Sequence, residues 1–233
     1  MSTVEQKNVG LFKILVLIFM VLTAIALVLF MFVPLISAIA YDIGTILLLL
    51  GMYILSKEKI QQLTWLKVTA LFVLAMILGL VAAIFATMYP WQTPATGSVL
   101  NQLSTMEKGV GEHVLAFAVT TVFTGLFTGL AAFFIGEWYE DTVDNSKPFK
   151  TFRYFGVLFF AGQLIVFVGY ELLQLTISQA LTTYQSVLST SMAPITVSDL
   201  FIIVGSILIL VSFAIEIFAG FQVIKRVTNS SSA

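Results

Sequence analysis

Three carboxylates interrupt long apolar runs in this chain: Asp42, Glu171 and Glu216. An ionisable side chain inside a membrane span costs about 3 kcal/mol at a helix centre on insertion scales, so each is a candidate for holding a proton or a cation. Take the side bearing the basic loops as the inner one, and measure from the middle of each run at about 1.5 Å per residue. Asp42 then lies about 5 Å outward, Glu216 about 6 Å inward and Glu171 about 10 Å outward. Glu112 and His113 stand at the outer mouth of the fourth run, and Asp199 opens the sixth.

Each of these residues also has a plainer reading. Asp199 follows Thr196 and Ser198 and suits a helix N-terminus, where the dipole favours a carboxylate. Glu171 falls near the interface, within reach of water. Glu112 and His113 can simply mark a membrane boundary. Asp42 reaches the headgroups if its hairpin turns a few residues later. Glu216 is harder to explain away, because apolar residues flank it on both sides. Its nearest candidate partner is Lys13, snorkelling inward from the first run. A structural ion pair and a functional proton or cation site stay equal alternatives for Glu216.

The fourth run carries a packing signal instead. Thr121, Gly125 and Gly129 recur every four residues, and Ala132 and Gly136 repeat the pattern. Small residues at that spacing let a second helix approach closely, whether from this chain or from another. Thr120, Thr124 and Thr128 can bond back to their own helix or across to a neighbour.

The missing residue types exclude whole classes of chemistry. Without cysteine there is no disulfide, thiolate metal site or cysteine-ligated cluster. A single histidine cannot give a bis-histidine haem or a multi-histidine copper centre. No Lys or Arg sits deep in a run, which argues against a voltage sensor or a Schiff-base lysine. Gly-rich phosphate loops, His-Glu-x-x-His and Gly-x-Ser-x-Gly are all absent. We therefore expect no cofactor and no metal, and a net charge of −1 gives no reason to expect nucleic acid.

The elements that must position these residues follow from hydropathy. Mean hydropathy is +1.05 and 59% of residues are apolar, well above a soluble domain. Six apolar stretches run over 11–32, 35–56, 66–88, 113–136, 154–174 and 200–224. About 20 apolar residues suffice to cross a hydrocarbon core roughly 30 Å thick. Of the eleven Lys and Arg residues, all but Lys108 lie in segments that can share one side. By the positive-inside rule both termini are cytoplasmic. The expected fold is an all-α bundle of six transmembrane helices, one membrane domain over 1–233, multi-pass in the plasma membrane.

Val33-Pro34-Leu35 separates the first two runs and predicts a tight reversal, since proline disfavours helix in the residue before it. Ala38-Ile39-Ala40 resembles a signal-peptidase site, but the preceding apolar run is too long for a signal peptide, so 11–32 is read as a retained span. Tyr89-Pro90-Trp91 and Trp138-Tyr139 suit aromatic anchoring at opposite faces. The outer loops 89–112 and 175–199 each carry a short amphipathic stripe. In the second loop Ile177, Ala180, Leu181, Tyr184, Val187 and Leu188 recur at helical spacing. Span five therefore either continues as one long helix or gives way to a piece lying flat on the outer leaflet, the form favoured here because no charged face projects into water. Gly51, Gly136 and Gly220 end the even-numbered runs 85 and 84 residues apart, as three tandem helical hairpins would.

Over Gly51–Lys59, Gly136–Gly156 and Asp199–Phe221 the chain resembles archaeal multi-pass membrane families of unassigned function. That resemblance is one of hydropathy and covers most of the chain. It implies a six-helix membrane protein and carries over no site residues. The first functional expectation is an accessory or scaffolding subunit of a larger membrane assembly. Its partners would be the bilayer and other membrane subunits, or a second copy through span four. The alternative is a small transporter or proton-coupled permease using Asp42, Glu171 and Glu216. A membrane enzyme acting on lipid or quinone comes third.

Overall fold

The computed structural model describes residues 3–29, 32–88, 115–142, 150–184 and 193–230. These form six helices: α1 (Thr3–Leu29), α2 (Pro34–Leu55), α3 (Lys59–Met88), α4 (Leu115–Thr142), α5 (Thr151–Tyr184) and α6 (Ala193–Ser230). Each contains a stretch long and apolar enough to cross a membrane, and no strand occurs among the described residues. The chain is an all-α, multi-pass membrane protein.

The α1–α2 reversal is made where proline predicts it. Pro34 opens α2, at a position where a missing amide proton costs no helical bond. The amide of Val33 bonds back to the Leu29 carbonyl at 2.8 Å, and the Ser37 hydroxyl donates to the Ala26 carbonyl at 2.7 Å. At the other end of α2, Gln61 Oε1 accepts from the Lys57 and Glu58 amides and caps the entry to α3. The Gln61 amide nitrogen donates to the Asp141 carbonyl, and the Trp138 indole donates to Ser56 Oγ at 2.8 Å. The short α2–α3 turn is thereby tied to the end of α4.

The helices form a ring. Each packs on its neighbours in sequence, most extensively within the pairs α1–α2, α3–α4 and α5–α6, and α6 closes against α1. That order of packing agrees with three successive hairpins. Large apolar side chains face outward on every helix, among them Leu17, Ile46, Leu74, Phe133, Leu164 and Ile207. A soluble bundle would put its polar face there, so this outer surface is made for lipid.

Two expectations about helix ends need correcting. Residues 175–184 do not lie apart from span five but continue α5 to Tyr184. The stretch Leu172–Tyr184 contains no Gly, Pro or charged residue, so nothing in it stops the helix. Likewise α6 begins at Ala193-Pro194, which leaves Asp199 exposed in its second turn rather than at the helix start. The expected stripe in 89–112, Val187 and Leu188, and both Glu112 and His113 fall outside the described residues.

Candidate functional site

The half of the ring nearer the α2–α3 turn is filled. Phe12, Phe19, Met52, Trp138, Tyr139 and Phe155 are almost wholly buried there, on four different helices. Trp138 and Tyr139 are therefore core residues rather than the interface anchors expected from sequence. Toward the other end, which holds the α1–α2 turn, the helices line a partly open cavity of about 450 Å³ to which all six contribute. That volume falls in the usual range of small-molecule sites, about 300–1,000 Å³.

The wall is mostly apolar and aromatic, with a few polar groups spread around it. α2 supplies Ser37, Tyr41 and Asp42; α4 supplies Thr121, Thr124 and Thr128; α5 supplies Gln163 and Tyr170. Tyr170 lies edge-on to Phe117 at 6.1 Å. Thr121 and Thr124 bond back to carbonyls of their own helix, at Ala118 and Thr120, which turns their methyl groups into packing surface. Asp42 is the only charged side chain among the described residues lining the cavity.

Glu216 lies one turn beyond Phe213, a cavity-lining residue of α6, and is 1% exposed. Its Oε1 accepts a hydrogen bond from the Tyr41 phenol at 3.1 Å, and its Oε2 has no partner among the described residues. The partner expected from sequence, Lys13, is not the one found. Tyr41 takes that place, packed edge-on against Phe213 at 5.5 Å, with its carbonyl accepting from the Thr45 hydroxyl. Tyr41 therefore touches both the cavity and the buried carboxyl. Such a carboxyl, with one hydrogen bond and no cation, is a costly arrangement unless it takes up a proton or meets a mobile cation.

The three carboxylates separate in space. Asp42 faces the cavity and Glu216 sits behind Tyr41, whereas Glu171 is half-buried on α5 and is not part of the cavity wall, although its neighbour Tyr170 is.

Gly125 and Gly129 lie against α5 of the same chain. A Cβ at Gly129 would meet the Gly156 carbonyl oxygen at 2.9 Å, and one at Gly125 would meet the Gln163 side chain at 2.9 Å. The close approach of α4 thus sets Gln163 into the cavity wall. Sequence reasoning passed over Gln163, Tyr41 and the Gly162–Gly205 contact that joins α5 to α6. A signal existed for Gln163: it is a primary amide near the middle of an apolar run, and such polar groups in spans seek a partner or a cavity.

No family model matches the chain, and neither a curated protein nor a solved structure matches it.

Proposed function

We propose that this protein is a small solute-binding membrane protein of the permease type, with its binding site in the cavity inside the helix ring. The observation that carries this reading is the cavity itself: about 450 Å³, walled by all six helices and bearing Asp42. A helix bundle that served only to scaffold partners would gain packing energy by filling that volume. In this reading Asp42 meets the solute, and the Tyr41–Glu216 pair behind the wall is where a proton or cation is exchanged with it. The packed half toward the α2–α3 turn closes the path on that side. With both termini cytoplasmic, as the Lys and Arg distribution favours, the cavity belongs to the outer half of the plasma membrane.

The test is reconstitution of the purified chain in liposomes carrying an internal pH dye, challenged with a panel of small solutes. A solute-dependent change in internal pH that disappears in Asp42→Asn and in Glu216→Gln is the expected result. Should the chain move no solute and instead leave mild detergent with a stoichiometric partner chain, the accessory-subunit reading replaces this one.

A further inference from the structure

We infer that the occupant of the cavity is an organic cation, an amine or quaternary ammonium with an apolar body. The inference rests on the solute-binding reading above and specifies its ligand. Charge is the first reason. Asp42 is a carboxylate in the cavity wall, and no Lys, Arg or His accompanies it among the described lining residues. A carboxylate in that wall disfavours an anion, and a cation would compensate its charge where a neutral solute would leave it to take up a proton.

The second reason is the aromatic lining. Phe72, Phe117, Phe159, Phe213, Tyr41 and Tyr170 contribute to the same wall from five helices. Phe213 is itself held between Phe159 at 5.6 Å and Tyr41 at 5.5 Å, so the rings form a connected surface. Ring faces attract a cation within about 6 Å, most strongly where water is excluded.

Size and ligand chemistry argue against a bare metal ion. The volume is that of an organic molecule, and no group of three or more His, Cys, Asp or Glu side chains that could hold a metal occurs among the described residues. Hard cations need about six convergent oxygens, which an aromatic wall does not offer. The ammonium end would sit at Asp42, with the hydroxyls of Thr128 and Ser206 and the Gln163 amide left to fix orientation.

The experiment is equilibrium dialysis of the full chain in lipid nanodiscs, with empty nanodiscs subtracted, using three single-ring probes. These are benzyltrimethylammonium, benzyl alcohol and benzenesulfonate. The expected result is saturable binding of benzyltrimethylammonium at least tenfold tighter than either other probe. Asp42→Asn should weaken it tenfold or more, Phe117→Leu by severalfold, and Asp42→Glu should retain most of it. Glu171→Gln, outside the wall, should leave it unchanged. If Asp42→Asn does not purify as a monodisperse species, Asp42→Glu against Phe117→Leu still decides the matter. Equal binding of the cation by the parent chain and Asp42→Asn would overturn the inference, as would preference for the sulfonate. Saturable binding of benzyl alcohol alone would remove the cationic ligand but keep the cavity as a solute site. Failure of all three probes overturns the cationic ligand, whereas the liposome measurement with its wider solute panel judges the solute-binding reading separately.

Discussion

The Tyr41 phenol donates to Glu216 Oε1 over 3.1 Å, joining α2 to α6 between residues 175 apart in the chain. Run midpoints would put these two residues at opposite depths, Tyr41 about 7 Å outward and Glu216 about 6 Å inward. The same offset appears where Gly220 packs against Met20 of α1. A run midpoint records where apolar sequence is centred, not how a helix is seated against its neighbours. In this ring the first hairpin is seated deeper relative to α6 than hydropathy alone assigns, and that seating brings a tyrosine, rather than Lys13, to the buried carboxyl.

Removing the phenol should therefore hurt more than removing both partners. Tyr41→Phe leaves the Glu216 carboxyl without its one hydrogen bond in a site 1% exposed. The expected loss is about 1–3 kcal/mol of unfolding free energy. Tyr41→Phe with Glu216→Leu should recover most of it, because no polar group is then stranded. Thermal unfolding of Tyr41→Phe, Glu216→Leu and the double variant in one detergent measures the coupling. Lys13→Gln is the control, expected within about 0.5 kcal/mol of the parent. A large loss there would revive the ion pair that the sequence suggested.

The glycine contacts rank their own substitutions. At Gly205 a Cβ would meet Val166 Cγ2 at 2.6 Å and the Gly162 carbonyl oxygen at 2.7 Å, and that backbone cannot move without shifting α5. Gly205→Ala should cost more than Gly125→Ala, where the obstacle is the Gln163 side chain, and both fall in the overpacking range of about 1–3 kcal/mol. Gly10→Ala, with nothing within 4 Å, should be neutral or gain about 0.5–1 kcal/mol from helix propensity. Unfolding temperatures in that order support the α5–α6 seam as the tightest contact; a harmless Gly205→Ala would contradict it.

Much of the fold was legible because membrane helices announce themselves. The six spans, the Pro34 reversal and the small-residue face at Gly125 and Gly129 all follow from local composition. Helix ends were less readable: nothing in Leu172–Tyr184 says where lipid stops, so α5 outran its apolar run. The candidate site was legible only in part. Asp42 and Glu216 stood out as charges in apolar runs, but a cavity is a property of six helices at once and leaves no mark on any one of them. The lack of cofactor and catalytic motifs favoured an accessory subunit, whereas the proposed binding role rests on the cavity. Tyr41 was hidden for a different reason: a tyrosine in a span looks like any other apolar filler until its hydroxyl finds a partner.

The turn between α2 and α3 gives a stability test away from the cavity. Ser56 Oγ accepts from the Trp138 indole at 2.8 Å and donates to the Met52 carbonyl at 2.8 Å, with both side chains buried. Ser56→Ala strands the indole N–H and should cost about 1–3 kcal/mol. Because this end is packed rather than hollow, solute binding by the folded fraction should not change. Altered binding affinity in Ser56→Ala would show that the two halves of the ring are coupled.

Orientation decides which side the cavity serves. The helix ends around the α1–α2 turn, and those flanking 89–114 and 185–192, lie at the cavity end, and the Lys and Arg residues among the described residues gather at the other. Arg153 marks that second end. It pairs with Glu140 at 3.1 Å and lies over the Phe133 ring at 4.6 Å, a partly exposed cluster suited to anchoring at headgroup depth. Reporter fusions at residues 95 and 185 should therefore read external, and fusions at 60, 145 and 230 internal. If the inferred organic cation is the occupant, a membrane-impermeant one added outside intact cells should then protect a cysteine introduced at Ser206, in the cavity wall, from a maleimide. Internal readings at 95 and 185 would invert the protein, and the cavity would then draw its occupant from the cytoplasm.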